Sequence, residues 1–205
     1  MGVISNGTTL LDAGALDSGI ATGAMTLIKT LTASSSGTLS FVNGASGVVI
    51  DGTYKEYVFK IINIHPSASA SFLVGFRDGG SNYDATKTTT YFRAYHQENA
   101  GGGVLAFDSF ELNQSTAFQD LSGDSVITDN DSGISGTLQL FGPSSTTFVK
   151  HFMANINSIK AGSSPEMKNS FSSGYCNVTA AIDAVQFKMG SGNMDSGTIK
   201  LYGIK

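Results

Sequence analysis

From Met25 onward, apolar and polar residues alternate along the chain with a period of two. In GTLSFV (37–42), Leu39 and Phe41 share one side of the chain and the residues between them share the other. Successive side chains of a β-strand point to opposite faces, so this alternation predicts half-buried strands.

The strongest strand is predicted at YKEYVFKIINIH (54–65). Its pattern places three residues on one face, Tyr57, Phe59 and Ile61, and four on the other, Val58, Lys60, Ile62 and Ile64. The strand is expected to end at His65-Pro66, because proline removes a donor from the hydrogen-bond ladder.

The rest of the chain repeats this design, with glycine-rich turns between short strands. Further strands are predicted at 26–33, 71–78, 89–97, 104–112, 136–142, 146–154, 170–179, 185–190 and 197–204. Only 115–121 and 180–184 indicate a helical turn. Helices do not alternate with the strands, so we expect an all-β fold, an antiparallel β-sandwich of jelly-roll type over residues 26–205.

Alternate positions in these strands predict the core between the two sheets. The residues expected to point inward are Phe59, Ile61, Phe72, Val74, Leu138, Leu140, Phe148, Phe187 and Leu201.

Residues 1–25 are small, rich in glycine and weakly patterned, which indicates an extended N-terminal arm. Burial within the segment alone would offset little of the entropy lost on ordering it. Its apolar residues are therefore expected to contact a neighbouring subunit or the flank of the domain itself; they are Val3, Ile4, Leu10, Leu11, Leu16 and Ile20. The alternative interpretation of this segment is a flexible tail.

Composition narrows the possible functions. Of the 205 residues, only 14% are charged, against about 25% in an average protein, and the net charge is −4. The twelve basic residues are scattered, which argues against nucleic-acid binding. The chain has a single cysteine, so no internal disulfide can form, and we expect Cys176 to be a small core residue. No apolar run is long enough to span a bilayer, and the N-terminus lacks the basic and apolar regions of a signal peptide. Synthesis in the cytoplasm is therefore expected.

The polar clusters do not form a recognisable catalytic, cofactor or metal site. Asp129 and Asp131 in TDNDSG lack the acidic residue that would close a calcium loop, so a solvated turn is favoured over a cation site. Ser125 in GDSV has no Asp-x-x-His partner for esterase chemistry. His65, His96 and His151 lack ligands at metal-binding spacing and are interpreted as structural. We therefore expect no enzyme activity.

Tyrosines offer one binding hypothesis. The flat apolar faces of Tyr83, Tyr91, Tyr95 and Tyr175 could stack on the C–H face of a sugar. Aromatic residues in strands are more often core residues, because β-propensity favours them.

Three segments carry a family resemblance: YKEYVFKIINIHPSAS (54–69), FGPSSTTFVKHF (141–152) and AVQFKMGSGNMDSGTIKLYGIK (184–205). Together they resemble small proteins that recur in marine bacteriophages, particularly those infecting picocyanobacteria and related ocean bacteria. The likeness runs from about Lys29 to the C-terminus and weakens in 98–130 and 155–170, which are interpreted as surface loops. The resemblance implies a structural protein of the virion or its tail.

Three functions remain open. The first is a structural subunit on the exterior of a phage particle, as a capsid decoration or cement protein or a tail or fibre subunit, assembling with other virion proteins through the arm as a homo-oligomer, with a trimer expected. The second is a receptor-binding adhesin that holds a host surface glycan. The third, a glycan depolymerase, is disfavoured because acidic residues occur singly rather than as the paired carboxylates of glycosidases.

Overall fold

The computed structural model describes residues 3–5, 8–12, 15–16, 24–99, 101–160 and 165–205. In these residues every regular element is a strand. The strands are β1 (Val3–Ser5), β2 (Thr8–Asp12), β3 (Ala15–Leu16), β4 (Met25–Thr32), β5 (Thr38–Val42), β6 (Glu56–Pro66), β7 (Phe72–Arg77), β8 (Lys87–Gln97), β9 (Gly103–Phe107), β10 (Gln119–Asp120), β11 (Ile134–Phe141), β12 (Lys150–Lys160), β13 (Glu166–Cys176), β14 (Ala184–Met189) and β15 (Met194–Ile204).

Two antiparallel sheets pack face to face, which confirms the predicted β-sandwich. The larger sheet has eight strands in the order β4-β15-β6-β11-β12-β13-β8-β9, and the smaller has four in the order β10-β7-β14-β5. All eleven predicted strands are found, with shifted ends, while β10 and the three short N-terminal strands were not predicted. The jelly-roll part of the prediction is not confirmed: the strands divide into sheets of eight and four.

The core lies between the smaller sheet and the middle of the larger one. Phe41, Phe59 and Phe187 form edge-to-face contacts across it, with ring centroids 5.3–6.4 Å apart. Phe72 stacks on Phe187 with centroids 5.8 Å apart. Eight of the nine predicted core residues are buried here, and the exception is Phe148.

The inward position predicted for Phe148 is wrong, since its side chain is 73% exposed. The strand begins at Lys150, later than expected, so Phe148 lies in the preceding turn. There the hydroxyl of Ser145 accepts hydrogen bonds from the backbone N–H groups of Thr147 and Phe148. Phe152 takes the core position instead, with its ring 4.8 Å from that of Phe76.

The face predicted for Ile64, near the end of β6, is also wrong. The pairing of β6 with β11 shifts between Ile61 and Ile64, and Asn63 has a positive φ of 46°. This bulge turns Ile64 into the core, whereas Ile62 stays on the outer face, as predicted, and is 40% exposed. An extra residue in one strand reverses the alternation beyond it, which explains the difference.

Two segments interpreted as loops behave differently from each other. Most of 155–170 belongs to β12 and β13, which form a long regular ladder, so that interpretation is wrong. Residues 108–126 are mostly irregular and cover the inner face of β8 and β13, where the ring of Phe110 meets that of Tyr91. Neither 115–121 nor 180–184 is helical.

At the N-terminus, β1, β2 and β3 pair antiparallel as a small three-stranded sheet. This part of the chain therefore has strand pairing of its own, which its weak sequence pattern did not predict. The side chains of Val3 and Ile4 are 53% and 64% exposed. Ile20 lies outside the described residues, as do the side chains of Leu10, Leu11 and Leu16.

Candidate functional site

The outer face of the eight-stranded sheet carries large exposed apolar side chains near one edge. Alternation along β9 places Leu105 and Phe107 on this face, where they are 71% and 81% exposed. Met153 and Met167, on β12 and β13, are 54% and 44% exposed on the same face. Exposed apolar side chains that are grouped on one face indicate an interaction surface, whereas single exposed apolar side chains are common on any protein.

Aromatic rings link the strands at this edge. Phe92 stacks on Phe171 of the neighbouring strand, with centroids 4.8 Å apart and planes 10° apart. Phe107 lies on the other side of Phe92, 6.1 Å away. Because β9 is the last strand in the sheet order, one side of its backbone has no neighbouring strand among the described residues. We call Leu105, Phe107, Phe92 and Phe171 the aromatic edge.

A polar cavity of about 420 Å³ lies elsewhere on the outer face, beside the β6 bulge. The bulge directs Asn63 and His65 to the cavity, because it reverses the alternation of the strand end. The Ser135 hydroxyl accepts from the Asn63 backbone N–H at 3.0 Å and donates to the Asn63 Oδ1 at 3.1 Å. Gly197 allows the bulge to pack, since a Cβ there would lie 2.4 Å from the Asn63 carbonyl oxygen.

The predicted turn at 129–132 forms another part of the wall of this cavity. The Ser132 N–H donates to the Asp129 carbonyl at 2.9 Å, and the His65 Nε2 lies 3.1 Å from the same carbonyl oxygen. Asp131 is exposed and lines the cavity. Ser132 also lines it, and among the described residues its buried hydroxyl has no hydrogen-bond partner.

Asparagines continue this polar surface across two more strands. Asn157 lies beside Ser135 in the β11–β12 ladder and beside Asn169 in the β12–β13 ladder. The Asn169 side-chain amide donates to the Oδ1 of Asn155, at 2.8 Å, and to the Oδ1 of Asn157. The outward alternation of Asn155 and Asn157 is visible in the sequence, whereas the cavity is not, because it depends on the bulge.

The four tyrosines are not brought together. Tyr91 is only 2% exposed and its hydroxyl donates to Ser170, so its ring has no face for a sugar. Tyr95 lies on the same strand under the Arg93 guanidinium, 5.4 Å from the ring centre. Tyr83 lines a different cavity with Phe118, and Tyr175 packs against His151. A shared tyrosine platform is therefore not found.

A partly buried ionic cluster between β8, β13 and the covering loop was not predicted. Arg93 is ion-paired with Asp108 at 2.6 Å and with Asp124 at 2.5 Å. Lys168 is fully buried, 3.6 Å from Asp124. Burial lowers the pKa of Lys168 to about 8, against the opposing attraction of Asp124. The cluster holds the loop on the sheet, and the side chains of Asp108 and Asp124 stay 24% and 28% exposed.

The remaining candidates show no assembled catalytic site. Cys176 is fully buried, as predicted, and burial raises the pKa of its thiol to about 12. Ser125 is exposed, but the adjacent Asp124 is bound in the ionic cluster. Among the described residues, no group of three or more His, Cys, Asp or Glu side chains could hold a metal ion. The same residues contain no helix long and apolar enough to cross a membrane.

Comparisons with protein-family models, curated proteins and solved structures give no significant match.

Proposed function

We propose that this chain is a structural subunit on the exterior of a bacteriophage particle, as a decoration or fibre-type protein that assembles with copies of itself. The resemblance of 54–69, 141–152 and 184–205 to marine phage proteins supports the phage origin. The low charge of the β-sandwich supports the structural role, because few charged side chains must lose their hydration when two subunits form an interface.

The observation that carries the assembly part of this proposal is the aromatic edge. Proteins commonly protect free sheet edges with charges, proline or bulges. β9 has the sequence GVLAF, which contains neither a charged residue nor proline, and its ladder with β8 has no bulge. One side of β9 has no neighbouring strand among the described residues, and β9 itself carries Leu105 and Phe107, so it offers backbone groups and apolar area to a second copy at once.

The test is the mass of the full-length protein in solution. Sedimentation velocity over a wide concentration range should show a homo-oligomer, with a trimer as the expected state. The double variant Leu105→Ser/Phe107→Ser should weaken association at least tenfold, because it removes two apolar anchors from the contact.

Phe148→Ser is the matched control. It replaces a phenylalanine of similar exposure in a turn outside the aromatic edge, so association should stay within twofold of the unchanged protein. A monomer at every concentration would refute the proposed assembly. Equal effects of the control and the double variant would refute the role of β9.

The N-terminal segment is the second proposed contact, through Val3, Ile4 and the apolar residues that follow. Deleting residues 1–25 should leave a folded sandwich that no longer joins the particle. Normal incorporation of the shortened protein would show that the segment is not the attachment.

A further inference from the structure

The cavity beside the β6 bulge gathers hydrogen-bonding groups of both kinds. Asn63 and Asn157 keep their Oδ1 atoms in bonds with Ser135 and Asn169, which leaves their amide N–H groups without a partner among the described residues. The Asp131 carboxylate is an acceptor, and a hydroxyl such as that of Ser132 both donates and accepts. These groups fit a ligand whose hydroxyls also both donate and accept.

The buried Ser132 hydroxyl independently indicates a missing partner. Ser132 is 7% exposed and lines the cavity, yet its oxygen makes no hydrogen bond with any described residue. An unpaired buried hydroxyl costs free energy, and a ligand group that bonds to it after a small shift of the 129–132 turn removes that cost.

Charge indicates that the ligand is neutral. No lysine or arginine is among the described residues that line the cavity, and its one carboxylate is that of Asp131. An anionic sugar would meet this carboxylate with no lysine or arginine among the described lining residues to balance its charge.

The cavity also has an apolar side and a suitable size. Ile159 and Met167 line it, and they can contact the C–H groups of a sugar ring. Its volume of about 420 Å³ lies within the range of about 300–1,000 Å³ typical of small-molecule sites.

We propose that this cavity, between Asn63, Asp131, Ser132 and Asn157, binds a neutral sugar residue of a surface glycan. The site is separate from the tyrosines and from the aromatic edge, so it goes beyond the structural function and does not depend on it. A particle subunit with this site would hold a glycan by hydroxyl recognition, without a metal ion.

Saturation-transfer NMR of the full-length protein tests the proposal. The probes are glucose, galactose, mannose and N-acetylglucosamine as neutral sugars, with glucuronate and N-acetylneuraminate as anionic ones. At least one neutral sugar should receive saturation, and the anionic sugars should receive less. The signal should persist in EDTA.

Variants locate the binding. Asp131→Ala and Asn157→Ala should each raise the Kd of the responding sugar about tenfold, the effect of losing one or two hydrogen bonds. Asn155→Ala is the matched control: it lies on the same strand and face and also bonds to Asn169, yet does not line the cavity. Its Kd should stay within twofold of the unchanged protein.

Several results would overturn the site. They are no saturation of any neutral sugar, stronger binding of the anionic sugars, loss of binding in EDTA, or an unchanged Kd in both cavity variants. Loss of binding in Tyr83→Ala alone would move the site to the cavity near Phe118. None of these results bears on the sedimentation test, so the two proposals fail separately.

Discussion

Replacing Phe152 by alanine tests the face assignment of β12 directly. Phe152 is fully buried and its ring lies 4.8 Å from that of Phe76, in the contact between the two sheets. Removing a buried phenylalanine side chain costs about 3–5 kcal/mol, because it loses apolar burial and leaves a cavity. Phe148, four residues earlier, is 73% exposed, so Phe148→Ala should change the free energy of unfolding by less than about 0.5 kcal/mol.

Urea unfolding followed by far-UV circular dichroism measures both variants, since the chain has no tryptophan. With a slope of about 2 kcal/mol per molar urea, Phe152→Ala should lower the midpoint by about 2 M. Phe148→Ala should leave it nearly unchanged. Should Phe152→Ala prevent folding, Phe152→Leu should give a smaller loss that can be measured. Comparable losses at the two positions would refute the register of β12.

Three further predictions concern buried or strained positions. Burial lowers the pKa of Lys168 from 10.5 to about 8, so the unfolded chain binds more protons between these values and stability gains from this group as pH rises. The free energy of unfolding of Lys168→Met should therefore exceed that of the unchanged protein most near pH 7, and this difference should shrink from pH 8 to 10.5. A difference that stays constant with pH would contradict this. The Cys176 thiol, buried and with its pKa raised to about 12, should resist a thiol-specific chromogenic reagent until urea unfolds the chain; rapid labelling of the folded protein would show that the core opens there. Gly197→Ala should cost clearly more stability than Gly44→Ala, because both have positive φ but only at Gly197 would a Cβ meet backbone, 2.4 Å from the Asn63 carbonyl oxygen; equal urea midpoints would argue against the bulge.

Most of the fold could be predicted from the sequence, because the alternation of apolar and polar residues is a local property of each strand. It predicted the sandwich and eight of nine core positions, including Phe59 and Phe187. It failed where one residue breaks the period: nothing in KIINIH marks Asn63 as the bulge that turns Ile64 into the core. It also failed at Phe148, whose turn depends on a side-chain hydroxyl of Ser145.

The polar cavity and the ionic cluster were beyond sequence reasoning for a different reason. Both join residues far apart in the chain, as Asn63 joins Ser135 and Arg93 joins Asp124. Such contacts follow from strand order, which alternation does not determine. The burial of Tyr91 was unpredictable for the same reason, since this ring is covered by a loop whose path the sequence does not specify.

The most direct test of the structural role is to locate the protein on purified phage particles. Antibodies against the sandwich should label the exterior of intact particles in electron microscopy, and the chain should copurify with them in a regular copy number. Particles that lack label and leave the protein in the soluble lysate would contradict the account.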